Sequence, residues 1–499
     1  MKNLACIVTL CIFAGTLTLT PASVSAESDE TRRLVELLVE RGILTREDAE
    51  SLISAAGETS EEAPQEASAS ESRFADMDYE PTLSLPEQQF RARVNKFRIE
   101  SEDGQHRFGI RGRLMADAAY VNDPFMSTDD ERLDRGDIAR YGTILRRARL
   151  GALGIMYDNW EWQLEVDFRD NEVGFANAYI AYLFDNGRLA VGNFKEPFSM
   201  ESATSSRRIS FIERAAPVDA YRPSRELGVM YETLIPDYYA AIGVFGGDGV
   251  ARNRDVTEGY SIAGRASFPP IYDADRNVWS HLGISANYRQ NAYEFERSRG
   301  REREYESVRM RTRLGTRAVD GRLIGENDME NVSDWSTYSL EAGWGQGPFS
   351  IQGEYIHQDL NRDPNSRGFD DTNPEVTSMT SKGWYTQLSW FSTGETRNYR
   401  PFSGDFGRTR VLRPLSQGGP GAFEFLARYA EADSNEHHEP DDRQFIRHFT
   451  LGMNWYPEDD IILKSNLMYV DAERGVDLDN GGPKTWDSWV LGLRFQYEF

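Results

Sequence analysis

Residues 486–499 alternate with a period of two. Trp489, Leu491, Leu493, Phe495, Tyr497 and Phe499 fall on one face, and Gly492, Arg494, Gln496 and Glu498 on the other. Successive side chains of a strand point to opposite sides, so this spacing specifies a strand with one apolar and one polar face. The strand closes on an aromatic residue. Left alone it would present a row of unpaired N–H and C=O groups; pairing it with the first strand makes a barrel and removes the edge.

The same alternation recurs upstream. Phe108, Ile110, Leu114, Ala116 and Tyr120 alternate with Arg111, Arg113 and Asp117. Trp160, Trp162, Leu164, Val166 and Phe168 alternate with Glu161, Gln163, Glu165, Asp167 and Arg169. Similar runs surround Phe349–Tyr355, Phe423–Tyr429, Leu451–Trp455 and Ile461–Tyr469. Short turns (158–159, 185–187, 346–348 and the turn at Pro457) alternate with long polar connections (122–139, 194–224, 291–332, 361–378 and 472–485). That asymmetry, with about sixteen strands, is the pattern of an outer-membrane barrel. A mean hydropathy of −0.60 with 12% aromatic residues fits a wall in which only alternate residues meet lipid. A helical membrane protein needs runs of about 20 apolar residues, and none follows the N-terminal segment. The expected fold is therefore all-β and transmembrane: a 16-stranded antiparallel outer-membrane β-barrel preceded by a short helical hairpin. Residues 303–315 fit either a strand or a loop, 395–421 are long for a short-side connection, and a bulge within 140–157 would turn Arg147 outward.

Residues 1–26 read as a signal peptide, with Lys2, an apolar run from Leu4 to Leu19 and a small-residue site at Val24-Ser25-Ala26. Both cysteines, Cys6 and Cys11, lie within it, so no disulfide is expected in the exported chain. Residues 27–57 carry Leu34, Leu37 and Leu38, then Gly42, then Thr45 and Asp48 before Leu52 and Ile53. Those spacings predict a helical hairpin or coiled-coil seed, too short to be stable without a partner. Residues 58–96 read as an acidic disordered linker, and 97–499 as the barrel.

No nucleophile elbow, phosphate-cradling loop or convincing metal spacing occurs, and His437-His438 sits in an acidic loop expected to be solvated. No enzymatic activity, cofactor, metal or nucleic-acid partner is expected. Arginine is the informative residue: all but six of the 56 basic residues are arginine, against a net charge of −25. Its planar fork of donors suits phosphate and carboxylate, and ladders of it select anions in pores. Arg147 and Arg149 share one strand face, and Arg309, Arg311 and Arg313 share another.

The segment Phe194-Lys195-Glu196-Pro197-Phe198-Ser199-Met200-Glu201-Ser202, continuing through Arg207-Arg208 and Phe211-Ile212-Glu213-Arg214, resembles the inward-folded third loop of the phosphate-selective porins O and P of Gram-negative outer membranes. The resemblance extends through Arg146-Arg147-Ala148-Arg149, Gly347–Tyr355, Thr393-Gly394-Glu395 and Leu451–Tyr456. It implies a homotrimer in the outer membrane, with constriction loop 194–224 narrowing each channel and basic residues guiding anions. Phosphate-selective members carry a lysine after the loop glutamate, where this chain has Ser202; Arg207 takes the other basic position. The expected anion-binding residues are Arg207, Arg208 and Arg214 from the loop and Arg111, Arg113, Arg147 and Arg149 from the wall. Lys464 and Arg494 are secondary candidates, and Tyr221 and Arg222 are expected to seal the loop to the wall. The expected function is passive diffusion of small anions, phosphate or polyphosphate among them. The alternatives are a general or other-solute porin, or a structural tether contacting peptidoglycan or the periplasm through 27–57. If the hairpin is a tether, deleting residues 27–60 weakens envelope attachment in cell fractionation and leaves single-channel conductance intact.

Overall fold

The structure is a computed structural model. It describes residues 82–83, 90–93, 98–123, 139–169, 173–247, 257–296, 302–308, 310–319, 322–324, 329, 331–366, 377–435, 443–477 and 482–499. The signal peptide and helical hairpin lie outside the described residues, as do Arg309 and His437-His438. Of the stretch read as an acidic linker, only Thr82–Leu83 and Phe90–Arg93 are described, and both are strand rather than irregular chain.

The main sheet has twenty strands, four of them appendages of two to four residues. The other sixteen are β1 (Arg107–Val121), β2 (Tyr141–Met156), β3 (Trp160–Asp167), β4 (Gly174–Phe184), β5 (Gly187–Lys195), β6 (Arg225–Thr233), β7 (Tyr239–Gly246) and β8 (Tyr260–Phe268), followed by β9 (Val278–Gln290), β10 (Val332–Gln346), β11 (Phe349–Arg362), β12 (Ser378–Phe391), β13 (Ala422–Asn435), β14 (Arg443–Glu458), β15 (Ile461–Asp477) and β16 (Gly482–Glu498). Each pairs antiparallel with the next, and β16 pairs with β1, from Val490 opposite Val121 to Glu498 opposite Arg113. The barrel is closed. Phe499 completes the seam, exchanging backbone hydrogen bonds of 2.9 and 3.2 Å with Gly112. A Cβ on Gly112 would lie 2.3 Å from the Phe499 ring, so glycine makes room for the aromatic there.

The period-two pattern sorts side chains as lipid and lumen require. On β16, Trp489, Leu493 and Phe495 are exposed outward, while Arg494, Gln496 and Glu498 are buried inside. Outward aromatics form belts at both rims: Trp160, Tyr182, Phe184 and Phe349, Trp390, Phe425 by the short turns, Trp384–Tyr429 and Tyr469–Trp489 by the loops. No helix among the described residues is long and apolar enough to cross a membrane.

Residues 472–485 are not a long loop: β15 and β16 remain paired there, Ala472 opposite Trp486. Residues 303–315 belong to the β9–β10 connection, whose described residues form short pairings. The bulge in β2 exists, but it turns Arg146 inward instead of sending Arg147 outward. Met115 pairs with Arg147 and Ala116 with Leu145, leaving Arg146 as the extra residue, and both arginines are buried in the lumen.

Among the described residues, three connections enter the barrel. Residues 196–224 carry two short helices, α1 (Met200–Ala203) and α2 (Ala216–Tyr221). Val308, Met310, Leu314 and Val319 of the β9–β10 loop pack in the same apolar cluster as Val218 and Tyr221. The β12–β13 connection folds in from the opposite rim, stacking Tyr399 on Trp279 at 4.8 Å. At the seam, Arg494 makes paired 2.7 Å bonds to Asp117 of β1 and a 3.0 Å bond to Glu213 of the loop. Removing one partner of a buried ion pair costs roughly 3–5 kcal/mol. R494M is therefore expected to lower the thermal unfolding midpoint in detergent substantially, and R494K, which keeps the charge but loses the fork, to lower it less.

Candidate functional site

The loop between β5 and β6 has no strand to pair with, so its backbone is held by side chains. Five lumen-facing donors on β13–β16 reach its carbonyls. Arg428 reaches Glu213 O at 3.1 Å, Asn454 reaches Ser210 O at 2.8 Å and Gln496 reaches Arg207 O at 3.0 Å. Lys464 and Arg494 donate to Ile209 and Ile212. Tyr221 Oη donates to Asp433 O at 3.1 Å, fixing α2 to β13.

The loop also braces itself. Ser199 sits at φ 56° and caps α1, and Glu354 of β11 accepts the Met200 and Glu201 amides at 3.1 and 2.8 Å. Arg214 donates to the carbonyls of Glu201, Ser202 and Thr204 at 2.9, 3.4 and 2.9 Å. Glu201 returns across the loop to accept the Ala215 amide at 3.0 Å. Burial would raise the Glu213 carboxyl, but Arg146 and Arg494 outweigh it and hold the group well below the usual carboxylate range.

Beside the loop lies a cavity of about 610 Å³. Arg111, Arg113, Arg147, Arg149, Arg207, Arg208 and Arg214 all line it. Two glutamates organise most of them. Glu165 of β3 holds Arg113 through two 2.9 Å bonds, Arg149 at 3.0 Å and Arg111 at 3.3 Å. Glu498 of β16 holds Arg207 at 3.3 Å, Arg208 at 3.0 Å and Arg408, from the β12–β13 connection, at 3.5 Å. Arg113 also donates to Ser206 Oγ at 2.9 Å, which links the wall to the loop. Arg147 donates to Met115 Sδ at 3.4 Å and forms no ion pair among the described residues.

Lys464 and Arg494 face each other across β15 and β16 but serve the loop backbone and lie outside the cavity lining. Arg222 lines the cavity. The sequence reading missed eight lining cations: Arg146, Arg169, Arg188, Lys195, Arg225, Arg317, Arg400 and Arg408. The adjacent pair Arg146-Arg147 was a usable signal, because two neighbouring arginines can share one strand face only through a bulge. Arg317, Arg400 and Arg408 lie in connections, where no periodicity indicates direction. Among the described residues no His, Cys, Asp and Glu cluster could hold a metal ion.

A closed antiparallel barrel, apolar outside, polar inside and partly filled by its own connections, defines an outer-membrane porin. The family model for phosphate-selective porins O and P matches residues 121–499. Porin O of Pseudomonas aeruginosa is 27% identical over 435 residues, covering 80% of this chain and 90% of its own length. An uncharacterised protein of Caulobacter vibrioides is 28% identical over 404 residues, covering 79% of this chain and 75% of its own. Among solved structures, an anion-selective porin from Comamonas acidovorans is similar at 14% identity and a TM-score of 0.46, with 79% of this chain and 100% of the other covered. The chain belongs to the phosphate-selective porin O and P family, and its place is the Gram-negative outer membrane.

Glu165 sets how much positive charge the wall node presents. E165Q removes one negative charge from among three arginines and is expected to raise the anion-over-cation permeability ratio. It should also tighten anion block of the current about tenfold, equivalent to about 1.4 kcal/mol. Reversal potentials and blocker titrations in planar bilayers measure both.

Proposed function

We propose that this porin passes small anions by passive diffusion, with phosphate among its solutes, and that the arginine-walled cavity is where they are selected. The carrying observation is the charge of the lining. Fifteen arginines and one lysine line the cavity against four carboxylates, in a chain whose net charge is −25. A local positive field inside a low-dielectric wall concentrates anions whatever the sign of the whole molecule.

No bond is made or broken in this reading. An anion exchanges part of its hydration shell for guanidinium donors and leaves because those donors are shared with Glu165 and Glu498. Arg207 and Arg208 contribute from the loop, Arg111, Arg113, Arg147 and Arg149 from the wall. Arg214 chiefly shapes the loop, since its donors engage three carbonyls. Phosphate is the solute named in the family's description. The reading includes a homotrimer, an N-terminal signal peptide over 1–26 and a periplasmic helical hairpin over 27–57, all of which the family resemblance favours.

The test is reversal potential across a planar bilayer in a potassium chloride gradient. Chloride is expected to be preferred, and R207Q/R208Q to reduce the preference several-fold. Phosphate titrated into the chloride solution is expected to reduce the current. A potassium preference in the unmodified protein would overturn the reading.

A further inference from the structure

Two buried glutamates stand directly opposite each other on adjacent strands of the lumen wall, Glu341 of β10 and Glu354 of β11. Like charges in that relation are destabilising, the more so where water is scarce. Their surroundings differ. Arg265 of β8 grips Glu341 through bonds of 3.0 and 2.7 Å, and His281 Nε2 of β9 lies 3.1 Å away. Glu354 forms no ion pair among the described residues. Its partners are neutral: the Met200 and Glu201 amides at 3.1 and 2.8 Å, Tyr385 Oη of β12 at 2.7 Å and Ser339 Oγ of β10 at 3.4 Å.

Each of these groups donates, and an ionised carboxylate only accepts, so the contacts fit the charged form. Protonation turns one carboxyl oxygen into a donor. The two hydroxyls can rotate to accept from it, but an amide cannot, so the first turn of α1 loses the charged acceptor that holds it. The remaining charges nearby do not favour the ionised form. Glu201 of α1 adds a third buried carboxylate, held by Arg428 of β13 at 3.4 Å and by the Ala215 amide at 3.0 Å. Arg397, from the β12–β13 connection, donates to Gln352 Oε1 at 2.9 Å instead. The loop therefore needs a charge on Glu354 that Glu341 and Glu201 oppose.

We propose that Glu354 is a positioning residue for the in-folded loop, and that a proton taken up there frees α1 from β11 and narrows the channel. The loop meets β11 through the Met200 and Glu201 amides and meets the cavity through Ala203, Ser205 and Ser206, so a first turn no longer tied to β11 has the cavity to move into. The Glu201 carbonyl is also one of the three that Arg214 holds, so the same release disturbs the loop's internal brace. The proposal deepens the anion-channel reading and rests on it for its readout, anion current.

The test uses the full-length protein in planar bilayers, with chloride current recorded between about pH 8 and pH 4. The parent's conductance is expected to fall several-fold with acid and to recover on return. E354Q, which keeps the shape and loses the charge, is expected to hold the low conductance at every pH, and E354D to restore a pH-dependent current. Y385F removes one donor to the ionised carboxylate while leaving the anchor itself in place, and is expected to move the parent's midpoint toward neutral pH. His281 and His448, also buried in the lumen, are unchanged in all three variants, so a change confined to them assigns the effect to Glu354. A parent whose current does not respond to pH, an E354Q profile like the parent's, or a Y385F midpoint that stays in place would overturn the switch and leave the anion preference standing. A potassium-selective parent that still closes with acid would instead remove the anion-channel reading and leave the switch.

Discussion

A backbone that leaves the sheet and enters a barrel must still have its polar groups satisfied, and that requirement governs this lumen. Residues 207–213 give up ladder pairing, and β13 to β16 replace it with side-chain donors aimed at one carbonyl after another. The donors come from the polar half of strands whose apolar half meets lipid. One alternation thus builds the membrane surface and the cradle for the loop.

Charge arrangement follows from the same geometry. Glu165 and Glu498 are each surrounded by three arginines, so each node keeps a surplus of positive charge while its members stay oriented. Glu213 bridges Arg146 of β2 and Arg494 of β16, which places the loop against the strands on either side of β1. Carboxylates here orient arginines more than they neutralise the cavity.

Much of this was legible in the residue order. Alternation in β1, β3 and β16 specified strands and their two faces, but a soluble β-sandwich fits that alternation equally well; the signal segment, the linker and the terminal Phe499 together pointed to a closed barrel. Which arginines face the lumen did not follow from the residue order alone, although Arg111 and Arg113 alternate with the apolar face of β1. Arg146 was hidden because a bulge breaks parity and is set by the partner strand. The in-folding of 392–421 was also hidden, although its length was visible. Its anchors, Trp279 and Arg265 of the wall, are remote in sequence, and Arg265 reaches Gly404 O at 2.6 Å. Glu165 looked like an ordinary wall charge, since its role depends on three arginines from two other strands.

The final two residues of β16 and its tail look in opposite directions. Phe499 lays its ring on Gly112 outside, while Glu498 collects Arg207, Arg208 and Arg408 inside. Those three belong to connections entering from opposite rims. Glu498 is the carboxylate these three share. The residue pair that zips the perimeter shut is thus also the keystone of the interior: one side chain fastens the wall while its neighbour ties together two separate inserts.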